Sequence, residues 1–178
     1  ERYDLSRSVR DKRFKYIRNY MPHRTYGQHS AYMFQTPTTK VWQRLYKQGK
    51  LNAAQSAFWK KKPAEELYDM QADPEEIINV ASSREHVDVL KRMRRAHREW
   101  ERDIRDVDFL PEWEMRKRSK NSAPYEVGHD PARYDFDAIF AAAEECGAGA
   151  PPAFPDFDCF VAPEAFQETL ERYRRGVR

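Results

Sequence analysis

"EELYDMQADPEEIINVA", residues 65–81, packs three kinds of signal into one short stretch. Glu65 to Met70 reads as a strand, bounded by polar residues and centred on Leu67 and Tyr68. Ala72-Asp73-Pro74 reads as a turn, because proline fixes its own φ and disfavours helix in the residue before it. Glu75 and Glu76 suit the first turn of a short helix, where carboxylates meet the positive end of the helix dipole.

Beyond residue 81, Ser82 and Glu85 stand three apart, as a capping box requires. From there Val87, Leu90, Met93, His97, Trp100, Ile104 and Val107 step by three or four residues. This predicts an amphipathic helix near 84–105, about 22 residues and roughly 33 Å long, whose narrow stripe needs a sheet to cover.

Ahead of residue 65, "SVRDKRFKYIRNY" alternates as strand, turn, strand, with Asp11 and Lys12 at the turn. Phe14, Tyr16, Arg18 and Tyr20 share one face; Lys15, Ile17 and Asn19 share the other. "MPHRTYGQHSAYMFQTP" is broken by Pro22, Gly27 and Pro37 and reads as a long ordered loop. A helix from Lys40 to about Lys47, capped by Thr38 or Thr39, carries Val41, Trp42 and Leu45 on its stripe and ends at Gly49. A second short helix begins near Asn52 and is stopped by Pro63, so residues 38–62 read as a compact helical insertion.

After "DVDFLPEWEM" the character changes. "RKRSKNSAP" reads as a charged linker, "HDPARYDFDAIFAAAEE" holds one helix, "CGAGAPPAFPDF" is poorly specified, and a weakly amphipathic helix is expected near Pro163 to Arg175. No internal repeat at a solenoid period is found. Cys146 and Cys159 allow either a disulfide or two thiols, and neither has zinc-site neighbours.

With 34% charged against 40% hydrophobic residues and a mean hydropathy of −0.99, the core is expected to be small or completed by other chain. The first residue is Glu1, inside an already patterned segment, which leads us to expect the C-terminal piece of a longer protein. Basic and acidic residues number 32 and 29, so bulk charge selects neither nucleic acid nor membrane as a partner. No apolar run approaches the roughly 18 residues of a spanning helix.

The order of strand, tight turn, strand, insertion, "ELYD", Asp-Pro turn and long helix resembles the C-terminal subdomain of the sulfatase family. Within the family it resembles the bacterial enzymes similar to N-sulfoglucosamine sulfohydrolase (heparan sulfamidase). "RSVRDKRFKYIRNY" (7–20) stands where the family has a basic hairpin, and "EELYDMQADPEEIINVA" (65–81) is similar to its "ELYDL..DP.E..NLA". "YMPHRTYGQH" and "IRDVDFLPE" extend the likeness to about residue 115, and "APYEVGHDPARYDF" looks like the tail of the longer bacterial members. Lys12 departs from a frequent glycine at the hairpin turn, and Ile78 and Val80 depart from the "NLA" ending.

The resemblance implies an α+β piece: a small antiparallel sheet of about three or four strands covered by a long amphipathic helix, the C-terminal part of an alkaline-phosphatase-like sulfatase. The expected division is 1–115 for the subdomain and 116–178 for a loosely packed extension. Residues 65–81 are then a corner between sheet and helix, with Tyr68 and Asp69 structural. Sulfatases use a formylglycine made from Cys or Ser in C/S-x-P-x-R, with a divalent cation, typically Ca²⁺. Neither cysteine nor Ser122 stands in that motif, so no catalytic residue or metal ligand is expected in this segment. The implied partners are an N-terminal catalytic domain and a sulfated, glycosaminoglycan-like saccharide. The implied chemistry is hydrolysis of sulfate esters or sulfamates, in a periplasmic, extracellular or lysosomal setting.

Candidate substrate-binding residues lie in the irregular loop "HRTYGQH". They are Arg24 first, then His23 and His29, which can pair with sulfate or carboxylate, and Tyr26 as a sugar-stacking ring. His97 is expected at the core edge, His86 and His129 in solvent, and Trp42, Trp59 and Trp100 as packing anchors. The rival class is a non-catalytic binding module for a polyanion or a protein partner. "RSVRDKRFKYIR" and "LKRMRRAHREWERDIR" suggest a phosphate backbone, but Glu85, Glu99, Glu101 and Asp103 interleave with those bases as on a solvated face, so nucleic acid is not expected.

Overall fold

The computed structural model describes residues 4–148. Strands β1 (Ser6–Arg10) and β2 (Phe14–Asn19) pair antiparallel, with Val9 opposite Tyr16 and Arg10 opposite Lys15. Asp11 builds the turn between them: its Oδ1 accepts from the N–H groups of Arg13 (2.8 Å) and Phe14 (2.6 Å), and its own N–H donates to the Phe14 carbonyl (2.9 Å). These backbone donors, Phe14 first, hold its carboxyl below the usual aspartate range. The turn is therefore centred on Lys12 and Arg13, one residue later than the sequence suggests. Neither of them has a positive φ, so Lys12 is tolerated where a glycine is frequent.

Strand β3 (Glu65–Asp69) pairs antiparallel with β2, placing Tyr16 opposite Leu67 and Ile17 opposite Glu66. The sheet has three strands in the order β1-β2-β3. Residues 79 and 80 do for β3 what a fourth strand would do. Asn79 Oδ1 accepts from Leu67 N–H (3.0 Å), Asn79 Nδ2 donates to the Glu65 carbonyl (3.1 Å), and Val80 N–H donates to the Leu67 carbonyl (2.8 Å). An edge whose backbone groups are satisfied this way offers little for another chain to pair with.

The short helix predicted at Glu75 and Glu76 does not form. Glu76 sits in the left-handed region (φ 54°), Asp73 O accepts its N–H (3.1 Å), and Asp73 Oδ2 accepts from Ile78 N–H (2.7 Å). A carboxylate that takes up a nearby amide competes with the helical ladder and wins a turn instead. Lys15 Nζ fastens the strained residue through Glu76 Oε2 (2.7 Å). The predicted capping box at Ser82 is also replaced: a 3₁₀ turn (Arg84–His86) follows Ser83, whose Oγ lies 3.1 Å from His86 Nδ1.

The helical insertion begins earlier than expected. Helix α1 (Pro37–Lys47) takes Pro37 as its first residue after the N-cap Thr36, where the missing N–H costs nothing, so this proline starts a helix instead of ending a loop. Gly49 (φ 67°) closes α1: Lys50 N–H bonds Leu45 O (3.0 Å) and Gly49 N–H bonds Tyr46 O (2.9 Å). Asn52 and Gln55 cap α2 (Ala53–Ala57) reciprocally, and α2 ends well before Pro63. Trp42, Phe58 and Trp59 form an aromatic hub, with Trp42 stacked on Phe58 (4.6 Å, 17°) and Phe58 edge-on to Trp59 (5.1 Å, 87°).

The long helix α3 (Val87–Ile104) starts three residues later than predicted. Its Leu90 and Met93 close a core with Phe14, Tyr16 and Leu67, with Val9, Val80, Ala81 and Val89 at its margin. Each such side chain contributes about 1.5–3 kcal/mol by burial, which makes this face the main apolar store of the sheet.

The chain divides into two compact units, one ending at Met93 and the other starting at Arg94. In the second, where a charged linker is predicted over 116–124, the chain forms α4 (Glu112–Arg118) and then enters α5 (Pro124–Gly128). Arg118 bridges Glu114 (2.7 Å) and the Arg133 carbonyl (2.6 Å), and Arg133 bonds Ser122 Oγ (2.7 Å). Helix α6 (Phe136–Gly147) contributes Phe136, Ile139, Phe140 and Ala143 to a core shared with Phe109, Leu110, Val127 and Tyr134. The stretch from 116 to 148 thus holds the end of α4 and all of α5 and α6. Cys146 is half-buried on α6, while Cys159 and the helix expected near 163–175 lie outside the described residues.

Candidate functional site

The loop that carries the four predicted substrate-binding residues is bolted to the insertion on one side and to the sheet on the other. Thr25 and Lys61 form an isolated antiparallel bridge, Lys62 N–H donates to Arg24 O (3.2 Å), and Gly27 N–H donates to Phe58 O (2.8 Å). A Cβ on Gly27 would lie 2.7 Å from the Phe58 ring and 2.8 Å from Trp59, so only glycine lets the loop approach the hub this closely.

Tyr26 is fixed from below. Its hydroxyl donates to Glu66 Oε1, which also accepts from Asn19 Nδ2 (2.5 Å), while Tyr68 OH donates to Glu66 Oε2 (2.5 Å). Asn19 is held in turn by Ser6 Oγ, which donates to its Oδ1 (2.6 Å), and by the Pro63 carbonyl, which its Nδ2 reaches (2.8 Å). Glu66 is 4% exposed. Burial first, and the facing carboxylate second, push both tyrosine hydroxyls above their usual pKa, which keeps them as donors. Buried Lys62 pairs with Asp4 and places Nζ 5.6 Å from the Tyr26 ring centre. The Tyr26 ring itself stays 41% exposed, an aromatic platform with its polar end anchored.

The other three candidates are placed differently. Half-buried Arg24 donates through Nη1 to Gln28 Oε1 (2.7 Å) within its own loop. His29 is exposed at its edge and stacks on Phe34 (4.5 Å, 23°), which meets Trp59 edge-on. His23 is exposed. Chemically the loop offers an aromatic ring face, a guanidinium and two imidazoles, groups that can stack on a ring and pair with an anion.

Two residues that organise this loop, Glu66 and Lys62, escape the sequence reading. A signal for the first exists, since adjacent Glu65 and Glu66 on one strand must point to opposite faces. Glu65 Oε1 accepts from Tyr16 OH (2.6 Å) on the α3 side, and Glu66 points into the polar network.

Asp69 ends β3 as a structural residue. Arg13 Nε lies 3.0 Å from both its oxygens and Nη2 2.5 Å from Oδ2; this guanidinium, with the N–H groups of Gln71 and Ala72, lowers its pKa to about 2. On the second unit, His97 Nδ1 lies 3.1 Å from Glu101 Oε2, and the two are 1% and 0% exposed. Glu101 therefore does not belong to the solvated face on which the charge pattern sets it. Trp100, predicted as an anchor, is 38% exposed and meets His97 edge-on. His86 is half-buried against Phe14 and not in solvent, whereas His129 is exposed and stacked on Tyr125.

Among the described residues no group of three or more His, Cys, Asp or Glu is placed to hold a metal ion, and no helix is long and apolar enough to cross a membrane.

The chain is similar to an ulvan-active sulfatase from Formosa agariphila, 42% identical over 113 residues, which is 63% of this chain and 19% of that protein. It thus spans about a fifth of the length of the curated relative it matches. No family model and no solved structure matches.

Proposed function

We propose that the chain is the C-terminal part of a sulfatase that cleaves sulfate esters or sulfamates of a sulfated polysaccharide, with the reaction carried out in a preceding catalytic domain of alkaline-phosphatase-like fold. The observation that carries this reading is the 42% identity over 113 residues to a protein named for sulfatase action on ulvan. The resemblance of 7–20 and 65–81 to the sulfamidase-like enzymes puts sulfamates beside sulfate esters among the linkages to assay. By the same resemblance, formylglycine and Ca²⁺ belong to the catalytic domain. The setting is periplasmic, extracellular or lysosomal.

The loop 23–29 then forms part of the pocket rim. Tyr26, held by Glu66, takes a sugar face; Arg24, His23 and His29 receive sulfate or carboxylate groups of the polymer. The test is sulfate release from ulvan and from N-sulfated glycans by the full-length protein in the presence of Ca²⁺. Arg24→Ala is expected to raise KM about tenfold, the equivalent of ~1.4 kcal/mol. An unchanged KM with a lowered Tm would remove the rim role, and no sulfate release from any sulfated glycan would remove the sulfatase.

A further inference from the structure

Between Asp11 and Glu65 the chain holds no acidic residue, yet it carries twelve Lys and Arg. With 32 basic and 29 acidic residues overall, the remaining chain has 20 basic against 29 acidic, so the balanced total conceals a strong segregation. Three of the twelve are neutralised from outside the segment: Arg13 by Asp69, Lys15 by Glu76 and Lys62 by Asp4. Six others, Lys40, Arg44, Lys47, Lys50, Lys60 and Lys61, are exposed on the insertion, and their side chains have no partner among the described residues.

The helices of the rest of the chain are different. On α3, Arg95 faces Glu99 and Lys91 faces Asp88; on α4, Arg116 faces Glu112 and Arg118 faces Glu114. On α1, by contrast, Lys40, Arg44 and Lys47 stand at i, i+4 and i+7, on one stripe about 10 Å long with no acid beside it. Like charges at this spacing repel, and only Arg44 and Lys47 recover something from the helix C-terminus. The aromatic side of α1 faces away, with Trp42 and Tyr46 against Trp59.

We infer that this stripe is a binding surface for the sulfate groups of a polymeric sulfated polysaccharide, distinct from the 23–29 loop and engaging sugar units away from the bond cut. The choice of substrate rests on the sulfatase reading; the choice of a polyanion rests on the charges alone. Single-stranded nucleic acid is disfavoured because surfaces that bind it interleave their bases with open aromatic platforms. Here Trp42 stacks on Phe58 and both meet Trp59 edge-on, so these rings of the insertion pack on one another.

The variant is Lys40→Gln/Arg44→Gln/Lys47→Gln in the full-length protein; all three positions are exposed, so an unchanged melting curve is the control for folding. Two readouts are taken: KM on ulvan against KM on a sulfated monosaccharide, and retention on immobilised ulvan as a function of salt. The expected result is a KM on the polymer raised about three- to tenfold, an unchanged KM on the monosaccharide, and a slope of log K against log salt shallower by about 2, at ~0.7 per released counterion. An unchanged polymer KM overturns the proposal, and so does an equal rise on both substrates. Tighter binding of single-stranded DNA than of ulvan at equal salt would overturn the choice of ligand. If the unmodified protein releases no sulfate, the enzyme reading fails by itself. Retention on ulvan, weakened by the triple variant, then still supports the surface, and retention indifferent to it overturns the surface as well.

Discussion

On one face of the sheet, Tyr16 and Leu67 lie under Leu90 and Met93; on the other, Glu66 and Asn19 lie under the loop that carries Tyr26. The first face is held by shape and apolar area, the second by matched donors and acceptors. An apolar contact tolerates small displacements at modest cost, whereas a carboxylate shared by two hydroxyls and an amide fixes positions within a few tenths of an ångström. The face that must position Tyr26 is the polar one, and the face that must hold the sheet to α3 is the apolar one.

Truncation on each side tests this division. Leu67→Ala is expected to cost about 4 kcal/mol in urea unfolding, by lost transfer energy plus a cavity, while leaving KM of the full-length enzyme near its starting value. Glu66→Ala is expected to cost about 3 kcal/mol by orphaning buried donors, and to raise KM as the Tyr26 loop loosens. Equal effects on KM from both variants would break the comparison. Asn79→Ala comes next, at about 2 kcal/mol, since it strips partners from the Leu67 amide and the Glu65 carbonyl; hydrogen exchange should rise first at Leu67. The smallest effect is read with acid. Asp69 titrates near 2 when folded and near 4 when unfolded, so its contribution is complete above about pH 4 and is lost as pH falls from there towards 2. Arg13→Met should lower Tm above about pH 4 and leave it almost unchanged near pH 2, so that this part of the profile flattens.

The hairpin and α3 were legible because their patterns are local: alternation from Phe14 to Tyr20, and steps of three and four from Val87 to His97. The corner was not, because Asp73 and Asn79 spend their side chains on backbone amides that a helix or strand would otherwise satisfy, which propensity alone does not weigh. Pro37 misled in the opposite sense, since a residue that breaks a helix interior is welcome at its first position. Glu101 was hidden among alternating charges, although it lies four residues from His97 on the same face. At the candidate site the loop and its residue types were readable, while its supports were not. Glu66 reaches Tyr26 across 40 residues of sequence, and no local pattern announces that pairing.

The insertion's nested bonds also bear on the order in which the chain folds. Gly27 meets Phe58, then Thr25 meets Lys61, Arg24 meets Lys62, Asn19 meets Ala64, and last Arg18 meets Glu65 as the sheet pairs. Closing the first of these, Gly27 to Phe58, carries most of the roughly 3 kcal/mol of chain entropy, and each closure outside it adds only a few tenths. If the strands are drawn together from the aromatic hub outward, Gly27→Ala is expected to slow refolding in stopped-flow measurements more than it speeds unfolding. A glycine that lies outside the sheet then sets the pace at which the sheet is made.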